Sequence, residues 1–78
     1  MRPINLSRQS ERFLKRLPTS DARQIAQKLV SIQLDEVVDV KQLHGKSQSY
    51  LRAHSGDYRI AFRYEARTVI VVVIGDCN

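Results

Sequence analysis

Arg52 and His54, followed by Arg59 and Arg63, have the side-chain types and the spacing for phosphate chemistry. From Tyr58 to Tyr64, the residues Tyr58, Ile60, Phe62 and Tyr64 alternate with Arg59, Ala61 and Arg63. Successive side chains of a strand point to opposite faces, so this alternation sends the large apolar groups one way and the guanidinium groups the other. A guanidinium stays charged, and its planar fork donates two parallel hydrogen bonds to phosphate oxygens. Histidine is the side chain that exchanges protons near neutral pH. The pattern therefore offers a polar sheet face that grips a phosphate beside a proton-exchanging ring. The same residues also suit a merely solvated face, and spacing alone does not separate the two.

The charge balance favours an anionic partner. The chain of 78 residues carries 13 Lys and Arg against 8 Asp and Glu, a formal charge of +5, and its pI is near 9.9. That attracts nucleic acid or an acidic protein. One basic group (Arg8, Arg12, Lys15, Arg16) has helical spacing and reads as a solvated helix face. A second, from Lys41 and Lys46 through Arg52, Arg59 and Arg63, lies where strands are expected, beyond an acidic knot of Asp35, Glu36 and Asp39. The hydrophobic share of 42% with 27% charged residues excludes disordered and fibrous classes. No run approaches the roughly 18 to 20 apolar residues of a membrane span, and the start lacks a signal-peptide core, so the expected address is the cytoplasm. Cys77 is the sole cysteine, which excludes an internal disulfide, and neither it nor His44 has partners at metal-ligand spacing. No cofactor or metal is expected.

The elements that must position these residues follow from periodicity. Pro3-Ile4-Asn5-Leu6 reads as a short first strand and Ser7 as the N-cap of a helix with Phe13, Leu14 and Leu17 on its apolar stripe. Pro18 ends it. Asp21 and Gln24 have capping-box spacing at the start of a longer helix, in which Ala22, Ile25, Ala26, Leu29 and Ile32 recur to about Leu34. So short a turn implies a helical hairpin. Residues 35–49 read as connection. Strands then run over Tyr50–His54, Tyr58–Tyr64 and Thr68–Ile74, with turns at Ser55-Gly56-Asp57 and Glu65-Ala66. The last is an unbroken β-branched run suited to cover on both faces, whereas two helices can cover only one. The expectation is one α+β domain over residues 1–78, ordered β-α-α-β-β-β, with the helical hairpin packed on a mainly antiparallel four-stranded sheet. A chain this short buries roughly 60% of its unfolded surface, so its stability margin is thin.

In that order, four segments are similar to the RelE/ParE superfamily of toxins from bacterial toxin-antitoxin systems. Phe13-Leu14-Lys15-Arg16-Leu17 resembles the family's first-helix segment, and Lys41-Gln42-Leu43-His44-Gly45 its "K-x-L-x-G" lead into the sheet. Gly56-Asp57-Tyr58-Arg59-Ile60 matches the "GDYRI" hairpin strand, and an apolar strand closing in Ile74-Gly75-Asp76 follows. For RelE-like members the resemblance implies a toxin that is a ribosome-dependent, metal-independent mRNA endonuclease; members resembling ParE poison DNA gyrase instead. It places Arg52 and His54 on the family's first cationic positions and Arg59 on the arginine of "GDYR". The family's arginine after "IG" is replaced by Cys77, and no residue here matches its later tyrosine or histidine.

In such cleavage the ribose 2′-hydroxyl loses its proton and attacks phosphorus while the 5′-oxygen leaves and is protonated, giving a 2′,3′-cyclic phosphate. Arg59, with Arg52 beside it across the hairpin, is the candidate for holding the extra phosphate charge, and His54 for moving the proton. Lys41, Lys46 and Arg63 are candidates for holding the RNA. The partners implied are a cognate antitoxin and mRNA on the ribosome; the antitoxin, or self-association, would cover apolar surface left open by the helices. Two alternatives are a toxin-fold module with little or no nuclease activity that binds an antitoxin, and a gyrase inhibitor.

Overall fold

The computed structural model describes residues 1–36, 41–44 and 49–77, with 41–44 and 49 described by their backbone alone. Its elements run β1 (Ile4–Leu6), α1 (Arg8–Arg16), α2 (Thr19–Gln33), β2 (Lys41–His44), β3 (Ser49–Ser55), β4 (Tyr58–Glu65) and β5 (Thr68–Asp76). The sheet order is β1-β5-β4-β3-β2. Among the described strands only β1, parallel to β5, departs from antiparallel pairing. The α+β architecture with two helices and a mainly antiparallel sheet stands as expected. The structure adds a fifth strand: part of the segment read as connection forms β2, with Lys41 opposite Arg52 and His44 opposite Ser49. Lys41-Gln42-Leu43-His44 has no period-two apolar pattern, so this strand exists because the edge of β3 offers it a ladder, which local sequence cannot announce.

Ser7 caps α1 as expected: its extended backbone leaves the side-chain oxygen to accept from Ser10 N–H. Glu11 in the first turn and Lys15 and Arg16 in the last complement the helix dipole. Leu17, held extended at ψ 153° ahead of Pro18, stops it. The expected Asp21 cap of α2 is not formed. The helix begins at Thr19 with Pro18 in the cap position, and Pro18 carbonyl accepts from both Asp21 and Ala22 N–H. Proline's fixed φ already suits a helix start, and the Asp21 carboxylate is engaged elsewhere.

Ile25, Leu29 and Ile32 of α2 pack on Ala53, Ile60, Phe62, Val69, Val71 and Ile74, with Phe13, Leu14 and Leu17 alongside. Each large side chain so buried stabilises the fold by about 1.5–3 kcal/mol. The β-branched run of β5 is central, lying between β1 and β4. One face is fully covered, but Val73 on the other remains 42% exposed. A bulge makes this possible: Ala61 pairs with Val73 and Phe62 with Val71, so Val72 is the extra residue and Ile74 returns to the core side.

β1 covers β5 only as far as Val71. Beyond it, the turn into α1 takes over. Ser7 N–H donates to Val71 O at 2.9 Å, and Ser7 Oγ donates to Val72 O at 2.7 Å. Gln9 then acts as one more strand residue, its Nε2 donating to Ile74 O at 2.8 Å and its Oε1 accepting from Ile74 N–H at 3.1 Å. Ser10, wholly buried, is satisfied by Ser7 Oγ at 2.9 Å. No described helix is long and apolar enough to cross a membrane.

Candidate nucleic-acid interface

The β3–β4 hairpin carries the candidate residues, and α2 fixes it from the core side. Its two-residue turn needs Gly56, at φ +60°, where a Cβ would also meet the Gln24 side-chain amide at 2.9 Å. Ser55 Oγ donates to Gln24 O at 3.3 Å. Tyr58 donates its hydroxyl to Asp21 Oδ2 at 2.7 Å and meets Phe13 edge-on, ring centroids 5.8 Å apart. The hydrogen bond to Asp21, aided by burial and by the charges of Asp21, Asp76 and Asp57, pushes the Tyr58 phenol up to about 12.

With Ala53, Ser55, Ile60 and Phe62 buried on the helix side, strand alternation puts Tyr50, Arg52, His54, Arg59, Ala61 and Arg63 on the other face. The register brings His54 directly opposite Arg59 and Arg52 opposite Ala61. Arg52, His54 and Arg59 thus share one open sheet face on adjacent strands. Among the described residues neither Arg52 nor Arg59 is in an ion pair. Arg52 Nε is buried without an acceptor among the described residues, a state that costs about 1–3 kcal/mol unless something supplies an oxygen. Lys41 stands opposite Arg52 in the neighbouring ladder. Lys46 lies outside the described residues. Arg63, on the same face, is held by Glu65, Nη2 to Oε2 at 2.8 Å.

Beyond β5, the Cys77 N–H donates to Asp57 O at 2.9 Å, extending the β4–β5 ladder past the Tyr58–Asp76 pair. Its Sγ lies 3.2 Å from His54 Nδ1, a contact between residues 23 apart that nothing local in the sequence signals. Gln9 is a second residue that sequence reasoning missed, because a side chain replacing a strand is visible only once β5 is seen to outrun β1. Tyr64, expected in the core, is 41% exposed. Alternation gives it the correct face, but there it packs edge-on to Phe62 beneath the Arg2 guanidinium, 4.7 Å above its ring. Among the described residues no three His, Cys, Asp or Glu side chains come together to hold a metal ion.

No family model and no curated protein matches the sequence. Solved structures do match in fold. The toxin-antitoxin complex RelBE2 from Mycobacterium tuberculosis superposes with a TM-score of 0.79 at 18% identity, covering 96% of each chain. A mutant of the E. coli toxin RelE in the free state gives 0.73 at 16% identity, covering 99% of this chain and 84% of that one. The intact E. coli RelBE toxin-antitoxin complex gives 0.68 at 13% identity over 100% and 99%. At such low identity the likeness resides in the order and pairing of elements, the level at which the four sequence segments had resembled these toxins. The chain has the RelE-type toxin fold.

Proposed function

We propose that this protein is the toxin of a toxin-antitoxin pair and cleaves mRNA on the ribosome without a metal. The observation that carries the reading is the open sheet face, where Arg52, His54 and Arg59 meet on two adjacent strands and neither arginine is in an ion pair among the described residues. Arg59 and Arg52 grip the scissile phosphate and hold the charge that grows as the 2′-oxygen attacks. His54, opposite Arg59, takes the 2′-hydroxyl proton or supplies one to the departing 5′-oxygen. Lys41, Lys46 and Arg63 hold the flanking phosphates; the exposed Arg63–Glu65 pair is weak enough, at about 0–1 kcal/mol, for RNA to displace the carboxylate.

An acidic or amphipathic antitoxin covers the apolar positions the helices leave exposed, Val73 among them. The test is incubation of purified protein with programmed ribosomes. Cut mRNA bearing 2′,3′-cyclic phosphate ends is the expected result; intact mRNA removes the enzyme reading. A toxin-fold module that binds an antitoxin would then remain, a reading favoured by the thiol at position 77. Inhibition of DNA supercoiling by gyrase in place of RNA cleavage would select the third reading.

A further inference from the structure

The sulfur of Cys77 approaches a single atom of the candidate site, His54 Nδ1, at 3.2 Å. Both residues are half-buried, and both are held by backbone ladders. His54 is fixed by pairing with Arg59. Cys77 is fixed by its N–H on Asp57 O, at the turn that precedes Arg59. The contact is therefore set by the β3–β4–β5 register and not by a chance side-chain excursion.

A histidine ring has a soft, roughly two-fold final torsion, so a strand alone does not decide which nitrogen faces a ligand. A partner on one nitrogen fixes which way the ring is turned. Among the described residues the side-chain partner of the ring is Cys77, at Nδ1.

We infer that Cys77 is a positioning residue for His54: its sulfur takes the Nδ1–H edge of the imidazole, so that Nε2, with its lone pair, is the nitrogen offered to a ligand on the open sheet face. The inference rests on the proposed nuclease reading for its purpose, but its geometry stands separately. In the proposed reaction Nε2 accepts the 2′-hydroxyl proton, Nδ1–H keeps its hydrogen bond to sulfur, and no bond to sulfur forms or breaks. Cys77 touches neither substrate nor reacting atoms.

The test compares the full chain with Cys77→Ala and Cys77→Ser by nitrogen-detected NMR of the His54 ring, alongside cleavage on programmed ribosomes. The parent protein should show His54 as the single Nδ1–H tautomer. Cys77→Ala should show a mixture, and Cys77→Ser, whose hydroxyl can still accept, should restore the single tautomer. In cleavage, kcat should fall about 10- to 100-fold in Cys77→Ala with KM unchanged, the loss expected of a misaligned group, and recover in part in Cys77→Ser. Identical ring-nitrogen spectra in the parent and Cys77→Ala would overturn the inference, as would a parent ring protonated on Nε2. Absence of RNA cleavage in the parent would sink the nuclease reading alone, because the ring spectra decide the positioning without it.

Discussion

The two faces of this sheet are built on opposite rules. On the helix-covered face the large buried side chains are apolar, and the polar groups at its margin are paired: Ser10 by Ser7, the β5 backbone by Gln9, Tyr58 by Asp21. On the open face the cations lie side by side, Arg52 Nε has no acceptor among the described residues, and Val73 is exposed. One face is complete as it stands. The other has donors, charge and apolar area in excess of what the described residues use, as expected of a surface whose complement is another molecule. Substitutions should divide accordingly, stability effects on one face and activity effects on the other.

The largest expected effect is on the covered face. Phe62→Ala removes the largest fully buried side chain and should cost about 3–5 kcal/mol, read by denaturant unfolding; a loss under about 1 kcal/mol would mean that the core is not packed as described. Next comes its opposite. Arg59→Ala should lower cleavage on programmed ribosomes about 100- to 1,000-fold, as loss of one charge-stabilising donor does, while unfolding free energy moves by less than about 0.5 kcal/mol. A large stability loss there would erase the distinction between the faces. Gln9→Leu sharpens the comparison at the seam. It strips both partners from the Ile74 backbone and should cost about 1–3 kcal/mol, with faster amide exchange at Ile74 as the local signature.

The smallest effect concerns pH. In the native state the Tyr58 phenol is pushed up from 10.0 to about 12, so the folded chain holds this proton more tightly than the unfolded chain. The stabilisation is fully present below pH 10 and is lost as pH rises toward about 12. Tyr58→Phe should flatten that part of the stability profile, measured as the unfolding midpoint across the window; an unchanged slope would mean the bond to Asp21 is not made in solution.

Much of the scaffold was legible before any coordinates. Ser7 as a cap, the stop at Pro18, the Ile25, Leu29 and Ile32 stripe and the alternation in β4 are local patterns, and local patterns carry their own physical cause. The candidate face was legible in part: alternation placed Arg59 opposite Ile60 and Phe62, and the "GDYRI" segment marked the hairpin. The misses have two origins. β2 pairs with residues close by in the chain but carries no alternating apolar pattern, whereas the Gln9 bridge, the engagement of Asp21 by Tyr58 and the contact of Cys77 with His54 depend on residues far apart in the chain.

What the sequence by itself determined, then, was which side of α1, α2 and β4 is apolar and where α1 starts and stops, because those follow from side-chain type and backbone preference within a few neighbours. Only the tertiary structure decided which elements are adjacent and in what register. It set His54 across from Arg59 and brought the Cys77 sulfur to the imidazole. A one-residue slip in that register would turn a strand's guanidinium groups toward the core, so the open cationic face exists only because the buried side chains lock the pairing.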